Sequence, residues 1–171
     1  MLIVSAVGPD RPGMAHAVAQ ILFDSGCNIE DTTMTRLSGQ FAMILTVSSP
    51  DMAAQELATR LSPLRHLLGL HIDVASAGDV LPTSSDTPRW ILTAYGPERT
   101  GLLARLTGVL SQQNVNVTDV QTRVASAGRA YVMLLELELP SGLEPESLQD
   151  ELKANLNDLQ LSLRPMEEDT L

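Results

Sequence analysis

Aromatic side chains are scarce in this chain, which has two Phe, two Tyr and one Trp among 171 residues. Its core must be built from Leu, Val, Ile, Met and Ala. Lysine is rarer still: Lys153 stands alone beside scattered arginines. No basic stripe exists to neutralise a phosphate backbone, and the formal charge of -10 makes direct binding to nucleic acid a poor expectation. Cys27 is the only cysteine, which excludes an intramolecular disulfide and a thiolate metal cluster. Long hydrophobic runs are missing too. The first apolar stretch, Leu2 to Val7, meets Gly8-Pro9 and has no basic residues before it, too short for a signal peptide or a membrane span. A cytoplasmic protein with no membrane association is the expectation.

What the sequence does contain is a repeat. Gly8-Pro9-Asp10-Arg11-Pro12-Gly13 is followed by an apolar run and then by Cys27-Asn28-Ile29-Glu30-Asp31; Gly96-Pro97-Glu98-Arg99-Thr100-Gly101, 88 positions after Gly8, is followed by a second run and Val115-Asn116-Val117-Thr118-Asp119. A period of this length divides the chain into two small units. Residues 1–76 form the first, 77–88 a Pro- and Ser-containing linker, 89–165 the second, and 166–171 an acidic tail expected to be disordered.

Within the first unit, Leu2 to Val7 reads as a strand. The spacing of Met14, Val18, Ile21 and Leu22 predicts a helix from about Pro12 to Ser25, matched by Leu102, Leu106, Val109 and Leu110. Residues 28–37 read as a second strand whose alternation slips at the same place in both copies, so a bulge is expected near Asp31 and Asp119. Ser38-Gly39-Gln40 and Ser126-Ala127-Gly128 read as turns leading to strands Phe41 to Ser48 and Arg129 to Leu139. A second helix is expected from about Pro50 to Leu61, capped by Ser49 and ended or bent by Pro63, with its counterpart from about Pro145 to Asn157. Leu70 to Val74 and Leu159 to Leu163 close the units as half-wet strands.

The order strand, helix, strand, strand, helix, strand predicts an α+β fold: two ferredoxin-like βαββαβ units, each an antiparallel sheet with helices on one face. Units this small bury a modest core. Apolar residues on both parities of the third strand, such as Val132 to Leu135, point to a neighbouring unit against the other face.

The Gly-Pro-Asp-Arg-Pro-Gly turn before the first helix and the Gly26-Cys27-Asn28-Ile29 segment after it resemble an ACT domain, a small amino-acid-sensing regulatory module. Two such units, with Arg36 to Ala42 through the first hairpin, make the chain similar to the glycine cleavage system transcriptional repressor group. The resemblance covers nearly everything outside linker and tail. It implies regulation without catalysis and without a cofactor, a small amino acid such as glycine as ligand, a transcriptional activator protein as partner in place of DNA, and pairing of units, as in a homodimer. ACT ligands sit at a seam between units, which singles out Gly8, Asp10, Arg11, Pro12, Gly13 and Asn28, with Gly96, Glu98, Arg99, Gly101 and Asn116.

The residues suit a zwitterion. Unpaired N–H groups at a helix start receive a carboxylate; an asparagine carboxamide offers donor and acceptor; Asp10 or Glu98 supplies charge for an ammonium. Each has an ordinary reading beside the functional one. The glycines serve turn geometry, the acids favour the helix dipole, the arginines are solvated or paired, and the asparagines cap turns. A ligand-independent interaction module with structural loops therefore stands as the alternative. The catalytic signals are weak: His16 lies off the apolar helix face, His66 in a connecting segment, His71-x-Asp73 on a wet strand, and Cys27 aligns with Val115.

Overall fold

The computed structural model describes residues 1–49, 51–78, 87–125 and 130–166. The chain divides into two compact units, Met1–Leu81 and Pro82–Leu171. The first runs β1 (Leu2–Pro9), α1 (Met14–Asp24), β2 (Asn28–Leu37), β3 (Gln40–Ser48), α2 (Ala54–Leu61), α3 (Pro63–Leu68) and β4 (His71–Ser76). The second runs β5 (Arg89–Gly96), α4 (Leu102–Gln112), β6 (Asn116–Ala125), β7 (Ala130–Glu138), α5 (Pro145–Asn155) and β8 (Gln160–Pro165).

Each unit forms a four-stranded antiparallel sheet, ordered β2-β3-β1-β4 in the first and β6-β7-β5-β8 in the second. These are tandem ferredoxin-like units, as the element order predicts. One parity of each central strand carries the core. Leu2, Val4 and Ala6 of β1 and Met43, Leu45 and Val47 of β3 pack with Met14, Val18 and Leu22 of α1 and with Leu57 and Leu61 of α2. In the second unit Leu92, Ala94, Met133, Leu135 and Leu137 meet Leu106, Leu110, Leu148 and Leu152. The opposite parity is not fully wet: Ile3, Val132 and Leu134 are half-buried, whereas Val7 and Ile44 are exposed.

The bulge expected near the two aspartates is present in both units, as register shifts between Ile29 and Asp31 and between Val117 and Asp119. Glu30 and Thr118 are the extra residues. Asp31 accepts the amide of Thr32 at 2.7 Å, so its side chain serves the backbone that the bulge distorts.

Two helix starts differ from expectation. Helix α1 starts at Met14, because Gly13 takes a left-handed φ of 89° that no helix interior allows. Helix α2 starts at Ala54 with Ala53 as its N-cap, so Ser49 lies too far upstream to cap it; Pro50 falls outside the described residues. At its other end α2 stops at Leu61, as expected, and Pro63 opens the short α3 that holds His66, since proline suits a first helical turn and loses nothing by lacking an N–H there. The 126–129 turn with the start of its strand, linker residues 79–86 and tail residues 167–171 lie outside the described residues.

Candidate functional site

Both helix entrances are built alike. Gly13 and Gly101 are the N-caps, with φ of 89° and 86°, and no side chain caps either helix. The first intrahelical bonds run from the Ala17 amide to the Gly13 carbonyl and from the Arg105 amide to the Gly101 carbonyl, each 2.9 Å. The amides of Met14 to His16 and of Leu102 to Ala104 precede them. Neither first turn holds an acidic residue. Each entrance thus presents unpaired donors and the positive end of a helix dipole, an arrangement that suits a carboxylate.

Around this shared geometry the loops differ. Asp10 ties the first to the hairpin: its amide donates to the Gly39 carbonyl at 2.8 Å, and its carboxylate receives Arg36 at 3.3 Å. Arg11 makes no hydrogen bond or ion pair among the described residues. In the second unit the loop arginine is the one engaged. Arg99 and Arg105 reach Asp158, in the turn before β8, at 3.5 and 3.3 Å. The Arg105 hydrogen bond is the main cause that holds the Asp158 carboxyl below its ordinary 3.8, with partial burial opposing it. A cavity of about 480 Å³ opens at this entrance, lined by Glu98 to Ala104 and by Tyr131.

Gly8 and Gly96 have a packing role whatever the loops bind. A Cβ on Gly8 would meet the Gly69 carbonyl oxygen, and one on Gly96 would collide with Leu159. Both are buried where the loop passes under the segment leading to the last strand.

Within one unit the two asparagines are far from the loops. Asn28 pairs with Ser48, next to the Leu2 end of β1, whereas Asp10 follows its Pro9 end. Seven steps of about 3.4 Å put roughly 24 Å of strand between them. Asn116 likewise pairs with Glu138, opposite Arg89, while Gly96 lies opposite Tyr131. It lines a separate shallow groove with Thr107, Ser111 and Val120. No single unit assembles the whole predicted set.

Each asparagine holds a glutamate that sequence reasoning missed. The Asn28 side-chain amide donates to Glu30 at 2.9 Å, and the Ser48 hydroxyl donates to the same oxygen. Ser48 first and Asn28 second hold the Glu30 carboxyl below its ordinary 4.5. The Asn116 amide donates to Glu138 at 2.9 Å. Glu30 was legible as the residue two places along an extended strand. Glu138, like Asp158 and Tyr131, becomes visible only with register and topology in hand.

Among the described residues no group of His, Cys, Asp and Glu is placed to hold a metal ion, and no helix is long and apolar enough to cross a membrane. His16 and His71 are exposed, and Cys27 is a free, buried thiol.

The βαββαβ pair and its glycine-capped loops define a tandem ferredoxin-like α+β module, and comparison with known proteins gives its family. The ACT domain family model matches residues 1–75 and 89–165; the chain belongs to that family. It is 22% identical over 169 residues to the glycine cleavage system transcriptional repressor of Escherichia coli, covering 92% of this chain and 85% of that protein. A UPF0237 protein of Methanopyrus kandleri is 32% identical over 74 residues, 42% of this chain and 82% of its own. Among solved structures, a protein of unknown function from Galdieria sulphuraria superposes with a TM-score of 0.81 at 26% identity, covering 97% of this chain and 98% of that one. A candidate glycine cleavage system transcriptional repressor superposes at 0.70 with 22% identity, covering 98% and 97%; at that identity the likeness speaks for the fold.

Proposed function

We propose that this protein is an amino-acid-sensing regulator, not an enzyme, that transmits occupancy by a small amino acid such as glycine to a protein partner. The observation that carries the reading is the repeated, uncapped helix entrance at Gly13 and Gly101. Glycine caps leave room and bare donors where Ser, Thr, Asp or Asn would have satisfied them. The ligand carboxylate sits on the amides that follow Gly13 or Gly101, with Gly8, Asp10, Arg11 and Pro12, or Gly96, Glu98 and Arg99, shaping the loop. Asn28 or Asn116 completes the site from a second copy of the chain, since about 24 Å separates each from the loop of its own unit. Pairing of units, in a homodimer, is therefore part of the proposal.

The charge of -10 and the similarity to a named transcriptional repressor support an activator protein as the partner in place of DNA, in the cytoplasm. One observation favours the second reading, a ligand-independent interaction module: Asp10 and Arg99 already have partners of their own, so the loops have a structural reason to be as they are.

A thermal-shift panel of the twenty common amino acids on the full chain separates the two. A ligand at a hundred times its dissociation constant adds about 2.7 kcal/mol and raises the melting point by several degrees. No shift with any of the twenty would leave the interaction module.

A further inference from the structure

A bound ammonium has two sets of acids that could answer its charge, Asp10 and Glu98 in the loops and the acids bonded to the asparagines. Asp10 is already engaged by Arg36. The acids that do accompany the asparagines are Glu30 and Glu138, and they come from different places. Glu30 is the bulge residue of β2, whose counterpart is Thr118 on β6. Glu138 is the β7 residue opposite Asn116, whose counterpart is Ser48 on β3. The two copies have diverged at both positions, yet each keeps one carboxylate bonded to its asparagine at 2.9 Å.

The bonding leaves a specific set of atoms over. Each asparagine spends a side-chain N–H on its glutamate, and that bond fixes which way its carbonyl oxygen faces relative to the carboxylate. Glu30 receives both its donors on Oε1, and Glu138 receives Asn116 on Oε2. The second oxygen of each glutamate and the asparagine carbonyl accept no hydrogen bond among the described residues. Two unused acceptors on bonded neighbours, one of them formally charged, match a group with several donors and a positive charge. A neutral hydroxyl matches them poorly, having one donor to give. Purely structural pairing across the strands needs no charge: opposite its asparagine β3 carries the uncharged Ser48, and at its bulge β6 carries Thr118.

We propose that Glu30 with Asn28, and Glu138 with Asn116, form the ammonium-binding half of the amino-acid site and set its preference for a primary amine over a hydroxy acid. This rests on the amino-acid-binding reading above and assigns the charge recognition to the glutamates that the asparagines hold. Hydrogen bonds from Ser48 first and Asn28 second lower the Glu30 carboxyl below its ordinary 4.5 and so further favour the charged form that the role uses.

The test is isothermal titration of the full chain with glycine and with glycolate, in which a hydroxyl replaces the ammonium. Wild type is compared with a Glu30→Gln, Glu138→Gln double variant, in which each side-chain carbonyl still accepts the asparagine bond. Both side chains lie at the surface or half-buried, and circular dichroism verifies folding. The expected result is glycine binding weakened by at least about tenfold in the variant, with glycolate weak and equal in both proteins. Unchanged glycine affinity in the variant overturns the assignment and leaves the amino-acid reading standing. Equal loss for glycine and glycolate also overturns it, because the glutamates would then shape the site without reading charge. If wild type binds neither glycine nor any amino acid of the thermal panel, both readings fall together.

Discussion

A Cβ placed on Gly8 would stand 2.7 Å from the carbonyl oxygen of Gly69, closer than such atoms approach. The oxygen belongs to backbone, at a left-handed residue that ends α3, so it has little freedom to retreat. Gly8→Ala is expected to destabilise the first unit by about 1 to 3 kcal/mol through overpacking, read as a lower urea midpoint with unchanged slope. The loss should appear with or without amino acid present. A loss of ligand response at unchanged stability would instead give Gly8 a direct binding role.

Asp158 gives a pH dependence whose sign is fixed. Its carboxyl is lowered in the folded protein, chiefly by Arg105, so the interaction stabilises above the ordinary 3.8 and is lost as pH falls through and below that value. Asp158→Asn should therefore lower the denaturation midpoint at about pH 7, with a gap to wild type that shrinks as pH falls below the ordinary 3.8. A gap between the two that persists undiminished in acid would mean that Asp158 acts through something other than its charge.

Cys27 is buried at the place that Val115 occupies in the second unit. Cys27→Val is expected to change stability by less than about 1.5 kcal/mol and to leave any amino-acid response intact, since a nearly volume-conserving apolar swap repacks readily. Abolished response in a folded variant would make the thiol functional.

The Asp10–Arg36 pair is exposed on the arginine side, 74% of which is open to solvent. Arg36→Ala should cost no more than about 1 kcal/mol in melting studies, and the cost should shrink with added salt. A large, salt-independent loss would show that the pair locks the loop.

Much of the fold was legible because it is written twice. The spacing Met14, Val18, Leu22 recurs as Leu102, Leu106, Leu110, and the parity slip at Asp31 recurs at Asp119, so periodicity located the first helix of each unit and both bulges. The helix starts of the first unit were not legible, although that of α5 at Pro145 was: Gly13 and Ala53 are caps for reasons of backbone conformation, while Ser49, the better cap by residue type, lies too far from the first turn. The site was legible only in pieces. Loops and asparagines are marked by repetition, but that Asn116 meets Glu138 and that Arg99 meets Asp158 depends on strand register and on the turn before β8, which no local pattern encodes.

The most direct test is a backbone and side-chain amide NMR titration of the full chain with the amino acid that gives the largest thermal shift. The account predicts saturable shifts, with one common dissociation constant, at the amides of Met14 to His16 or Leu102 to Ala104 and at the side-chain amide of Asn28 or Asn116, lost in the Asn28→Ala, Asn116→Ala variant. Shifts confined to other residues, or a response that survives in that variant, would contradict it.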